Sequence, residues 1–292
     1  MRKFISVLCM FLPCVAMADA APHDDKFNFN LRRIGIEWNK TNVTNQDEKA
    51  YQDSPVSAFT ANSQDMFKGV FDAALEYGKD RFRWDNSLFM EYGKTTLRPY
   101  NKEATSDESA DKILFSTDLA YACWDLGGIK FGPIIRGQYE TEFVGNPTRN
   151  NVFRPNIGFA LFDHKILKTL YAVGVYEYDF SYTDNPVSKS ATEIGWRAEY
   201  ALRDGVKFVT DGYYREYLSY SKYVYTDFDR DLDANIRLDV SMWGNFTVGP
   251  YVKYRLAKAR GSDMYGSNTS VGISFNYINK FNLRPLPETP TN

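Results

Sequence analysis

Residues 231–240 read DLDANIRLDV, and this stretch decides the fold. Asp231, Asp233, Asn235, Arg237 and Asp239 share one parity, while Leu232, Ala234, Ile236, Leu238 and Val240 share the other. An extended strand sorts such a pattern onto two faces, one polar and one apolar; no helix buries a face with period two. The same alternation runs through 81–93, where Phe82, Trp84, Leu88, Met90 and Tyr92 oppose Arg81, Arg83, Asp85, Ser87 and Glu91. It returns at 129–143, where Ile129, Phe131, Pro133, Ile135, Tyr139 and Phe143 oppose Lys130, Arg136, Gln138, Glu140 and Glu142.

Working outward, the pattern predicts further strands near 27–41, 66–77, 113–124, 153–162, 169–182, 192–202, 206–216, 246–257 and 269–281. That makes about twelve, most of them longer than the five or six residues usual in globular sheets. A tilted strand crossing a bilayer needs about 9–11 residues, which these supply. Their connections alternate in length. Short ones at 78–80, 125–128, 163–165, 203–205 and 243–245 carry Gly, Asp and Asn, the residues that accept positive φ. Longer polar ones fall at 42–64, 95–111, 144–152, 183–191, 217–227 and 258–268. The expected fold class is all-β: a closed antiparallel transmembrane β-barrel of about 12 strands, with short periplasmic turns and longer extracellular loops. The competing reading is a large soluble β-sandwich, which detergent dependence and heat-modifiable migration would separate from a barrel.

The ends agree with export. Residues 1–20, MRKFISVLCMFLPCVAMADA, carry a positive start, a short apolar run and small residues at Ala18 and Ala20, the form of a secretory signal. The segment 21–281 is then the barrel, and 282–292, with Pro285, Pro287 and Pro290, an extended periplasmic tail. Cys9 and Cys14 fall inside the leader, which excludes a disulfide-dense scaffold. Cys123 reads as a small apolar strand residue. Mean hydropathy is −0.45, yet 16% of residues are aromatic, so the chain is polar on average without losing the material for an apolar face. A net charge of −2 gives no case for nucleic acid.

With this architecture in view, the chain resembles the Gram-negative outer-membrane β-barrel superfamily. Its final strand, SVGISFNYINKF at 270–281, has the aromatic-ended form typical of that class, though eleven residues follow it. Trp38, Tyr92, Phe143, Tyr182, Tyr214 and Trp243 are placed near strand ends, as interfacial girdles would require. The resemblance implies an outer-membrane location, contact with outer-membrane lipid and delivery by the outer-membrane assembly machinery.

Chemistry is sparse. His23 and His164 are the histidines, one beside the leader and one in a short turn. Neither reaches the outer half of a barrel, where outer-membrane hydrolases place theirs, so no enzyme, catalytic residue, metal or cofactor is assigned. Asp227, Asp229, Asp231 and Asp233 lack the glycine and glutamate of a calcium loop, and period two puts them on one strand face. The inward parity mixes acids and bases in near balance. Its pore-lining candidates are Arg83, Arg136, Glu140, Glu177, Arg197, Arg215, Asp233, Arg237 and Lys253. Such charges would either line a narrow pore, with opposite signs on separate walls, or pair and occlude the lumen. The first reading makes the protein a passive porin-like channel for small hydrophilic solutes. The second makes it a non-conducting structural or surface-interaction barrel acting through its loops, among which 217–226, YLSYSKYVYT, is rich in tyrosine.

Overall fold

The structure is a computed structural model, and it describes residues 26–45, 48–54, 56–59, 65–97, 105–125, 127–144, 149–181 and 184–283. The signal segment, His23, Tyr182 and the tail beyond 283 lie outside the described residues. The strands are β1 (Lys26–Thr44), β2 (Asp65–Lys79), β3 (Phe82–Leu97), β4 (Thr105–Tyr121), β5 (Trp124–Asp125), β6 (Lys130–Thr141), β7 (Asn151–Phe162), β8 (Leu167–Asp179), β9 (Val187–Arg203), β10 (Val206–Tyr220), β11 (Phe228–Trp243), β12 (Phe246–Ala259) and β13 (Tyr265–Asn282). All except β5, a two-residue strand beside β6, belong to one ring.

Each ring strand pairs antiparallel with its sequence neighbour, β4 pairing with β6 across the β5 link. The ring closes because β1 also pairs with β13, from Asn28↔Asn282 to Thr44↔Ser267. The result is a closed 12-strand barrel, so the long walls have no free edge. Twelve expected strands map onto these twelve, mostly with extended ends; β4 begins at Thr105 and forms a long hairpin with β3. Cys123 falls just beyond β4 rather than on a strand, and is buried there.

The short connections use the chemistry their sequence promised. Asp80, Asp163, Gly127, Gly128, Gly205 and Gly244 all take positive φ. Asp80 and Asp163 adopt values of 52° and 63°, a conformation that acidic side chains tolerate better than most residues.

Outside, the wall is apolar. Ile34, Ile36 and Trp38 on β1, Ile135 on β6, Ile157 on β7, Ile194 on β9, and Ile273 and Phe275 on β13 are all exposed. No water-soluble wall gathers such a band, and a surface of this kind faces lipid. Aromatic contacts ring the short-turn end: Trp243 packs on Phe246 and Phe246 on Tyr277, Phe29 on Phe281, and Trp124 on Phe131 and then Phe159. Trp243 and Phe143 fit the expected girdles, Phe143 packing edge-on against Tyr92. Trp38 and Tyr214 sit mid-strand instead, facing outward.

One irregularity shifts β1. Its register to both neighbours slips after Leu31, so Arg32 and Arg33 both reach the lumen. That bulge lets Phe29 and Leu31 face the same side as Ile34 and Ile36 although their parity differs.

Candidate functional site

The interior is the chemically distinctive part of the molecule. A cavity of about 950 Å3 reaches from the short-turn end towards the middle of the barrel, lined by acids and bases from most strands. Arg83, Arg136, Arg197, Asp233, Arg237 and Lys253 line this chamber. Glu140, Glu177 and Arg215 also face inward, but their ion pairs lie nearer the long-loop end. All nine candidates therefore sit on the inner face, in two groups.

Opposite charges do not separate onto different walls. They alternate along single strands and pair, because two neighbouring inward positions on adjacent strands lie within reach of one ion pair. Arg33 donates to Glu37 at 2.5 Å, Lys68 meets Glu37 at 3.0 Å and Glu91 at 3.1 Å, and Lys253 meets Glu91 at 3.4 Å. This ladder runs over β1, β2 and β3 and then jumps the lumen to β12. Arg197 on β9 reaches Asp72 on β2 at 3.5 Å, and Arg83 on β3 reaches Asp163 beyond β7 at 2.8 Å. Arg136 clamps Asp118 with two bonds of 2.7 and 2.5 Å and lies 4.0 Å above the Tyr171 ring centroid.

Nearer the loop end, charges form a belt. Glu177 accepts from Arg154 at 2.6 Å and also faces Lys189 at 3.2 Å and Arg215 at 3.6 Å. Arg154 continues to Glu140 at 2.8 Å, and Arg215 to Glu193 at 2.5 Å. Glu177 and Glu193 are each 2% exposed, so their charge is neutralised inside the protein rather than by water. The four aspartates of 227–233 disperse: Asp227 to Lys189, Asp229 to Arg260, Asp231 to Arg255 and Asp233 to Lys253. Each serves a different cation, which is ion-pair chemistry rather than a shared metal cage.

A feature the sequence did not disclose packs inside the barrel at this end. The connection after β1, expected as a plain polar loop, folds into the barrel as a one-turn helix (Lys49–Gln52) and a 3-10 turn (Ser57–Phe59). Tyr51 and Phe59 are fully buried there, packed with Phe228, Ala257 and Ala259. The Tyr51 hydroxyl donates within reach of Met264 O at 2.6 Å and Ala257 O at 3.0 Å, and accepts from Ala259 N at 3.2 Å. Arg255 caps the Phe59 ring at 5.5 Å. Apolar side chains in an otherwise polar connection, Tyr51, Val56 and Phe59, were the available signal.

The tyrosines of 217–226 divide. Tyr217 lies on β10 facing inward, donating to Glu177 at 3.1 Å, while Tyr220 hydrogen-bonds the Phe228 carbonyl. Tyr223 is 66% exposed, and Tyr225 hydrogen-bonds Asp53 in the inward-folded segment. His164, the one histidine among the described residues, accepts at Nδ1 from the amides of Ile166 and Leu167 in its turn.

Fold and interior together define the class: a transmembrane β-barrel, apolar outside and charged within. Similar solved structures include outer membrane phospholipase A from Escherichia coli (12% identity, 84% of this chain and 90% of that one, TM-score 0.44). The translocator domain of the autotransporter NalP from Neisseria meningitidis is 10% identical over 94% of this chain and 95% of that one, TM-score 0.39. An outer membrane channel from Pseudomonas putida F1 is 10% identical over 90% and 98%, TM-score 0.43. Likenesses this distant carry no argument about activity. No model of a protein family matches the sequence, and no curated protein does.

Proposed function

We propose that this protein resides in the outer membrane and passes small hydrophilic solutes through its charged lumen, with the extracellular mouth held shut by the inward-folded segment after β1. The observation that carries the reading is the chamber of about 950 Å3. It opens at the short-turn end, which faces the periplasm in this orientation, and its walls are polar and charged where a structural core would be packed. What stands at the far end includes a connecting segment, and such segments open at lower free energy than the strands around them. Arg83, Arg136, Arg197, Asp233, Arg237 and Lys253 would line the path; Glu140, Glu177 and Arg215 would form its narrowest belt.

A second reading has its own support. The ion pairs Asp72–Arg197 and Glu91–Lys253 cross the lumen, as struts in a non-conducting barrel would. Single-channel recording on the full chain purified from outer membranes, beside a variant with 48–59 replaced by a glycine–serine linker, separates the two. A quiet wild type and discrete steps in the variant support the closed-channel reading. Silence from both, with folded barrels inserted, establishes the second.

A further inference from the structure

Towards the loop end, the outer face of β10 to β13 carries a row of charged and polar residues. Glu216, Arg230, Lys258 and Tyr265 are consecutive partners across β10, β11, β12 and β13. Immediately below Arg230 and Lys258 on the same outward parity lie Leu232 and Leu256, themselves paired, and then Ala234 and Tyr254. The charged row therefore lies on the loop side of Leu232 and Leu256, where a bilayer whose apolar core covers those leucines would place its headgroups.

Arg230 and Lys258 are like charges directly opposite each other, an arrangement that destabilises a sheet unless something neutralises it. Protein partners do so only in part. Arg230 donates to Glu216 at 3.3 Å and to the Tyr265 hydroxyl at 2.7 Å, and its side chain stays 47% exposed. Lys258 donates to a backbone carbonyl, that of Ser262, at 3.1 Å, leaving two of its three ammonium hydrogens for another acceptor. We infer that Arg230 and Lys258 hold the phosphorylated headgroup of an outer-leaflet lipid between them. The guanidinium supplies a forked donor and the ammonium a point charge, the combination that suits a phosphate. The acyl chains would then lie over Leu232, Leu256 and Tyr254. This inference rests on the outer-membrane placement proposed above.

The test uses the full chain in non-ionic detergent and reads the temperature at which the folded, fast-migrating form is lost. It is titrated with a phosphorylated outer-leaflet glycolipid, the same lipid after enzymatic dephosphorylation, and inorganic phosphate. The phosphorylated lipid is expected to raise that temperature, with the dephosphorylated lipid and free phosphate at least tenfold less effective. The Arg230→Ala/Lys258→Ala variant should lose the distinction, and Lys222→Ala, on the neighbouring loop, should keep it. Equal responses to the two lipids, or an undiminished response in the double variant, would overturn the inference. So would a response to free phosphate equal to that of the phosphorylated lipid, which would make this an anion site with no lipid preference. Absence of any heat-modifiable form would instead strike at the outer-membrane reading itself.

Discussion

Asp72 on β2 and Arg197 on β9 stand diametrically opposite in the ring, with five strands between them in either direction, yet their side chains meet at 3.5 Å. A contact of that kind fixes the barrel's cross-section as well as its interior charge. Asp72 is also approached by Arg32 at 3.6 Å, so one carboxylate serves cations from both walls. Removing one partner of a fully buried pair costs about 3–5 kcal/mol. These side chains retain 16% and 21% exposure in a wet lumen, which reduces the expected loss for Arg197→Gln to about 1–2 kcal/mol. Urea unfolding of Arg197→Gln, Asp72→Asn and the double variant should give a coupling of roughly 1 kcal/mol. Strictly additive single effects would mean that the two residues do not brace each other.

Glu177 gives a sharper case, because it answers Arg154, Lys189 and Arg215 at once. Glu177→Gln keeps the shape and leaves three buried cations short of one charge. A destabilisation of about 3 kcal/mol or more is expected, at the lower end of the buried-pair range. The companion Glu177→Gln/Lys189→Met, which removes a cation too, should recover part of it. Refolding yield and urea midpoint in the same lipid vesicles check both.

The inward-folded segment depends on a missing methyl group. A Cβ on Gly266 would lie 2.7 Å from the Tyr51 ring, so β13 presents bare backbone where the tyrosine must pass. Gly266→Ala should displace the ring and loosen the inward-folded segment, freeing the backbone beside the already exposed Lys49 for cleavage by trypsin and producing current steps in planar bilayers. Tyr51→Phe keeps the ring but strands the Ala259 amide, at a cost of about 1–2 kcal/mol. It should therefore give a weaker version of the same change. Trypsin resistance in Gly266→Ala equal to that of the wild type would show that the segment is held by other contacts.

How far the sequence disclosed this depends on the range of the interaction. Strands were legible because lipid and lumen impose opposite solvents on alternate residues, and DLDANIRLDV on β11 records both. Turns were legible because positive φ at Asp80, Asp163 and Gly205 restricts the residue type locally. The bulge at Arg32 and Arg33 was not, since both residues are arginine and either parity reads as polar. The reach from Asp72 to Arg197 was not, because period two gives the face of a residue and says nothing of its neighbour across the ring. The inward packing of Tyr51 and Phe59 is hidden for a different reason: their apolar partners, Phe228, Ala257 and Ala259, lie far along the chain.

The assignment of faces itself can be tested by depth. Ile36 is half exposed in the middle of β1, between Gly69 on β2 and Phe275 on β13, and points away from the lumen. Thr44 shares its parity at the loop end of the same strand, where its hydroxyl meets Ser267 at 2.8 Å. If this wall faces hydrocarbon, Ile36→Arg should cost about 2–4 kcal/mol and Thr44→Arg about 0–1 kcal/mol, because the penalty falls from the midplane to the interface. In a soluble barrel both positions would be wetted and the two costs would be alike. Unfolding free energies in vesicles, read from tryptophan fluorescence, measure the difference directly. A gap of two kcal/mol or so would fix both the lipid contact and the orientation of β1, while equal costs would remove the physical basis for calling the wall lipid-facing.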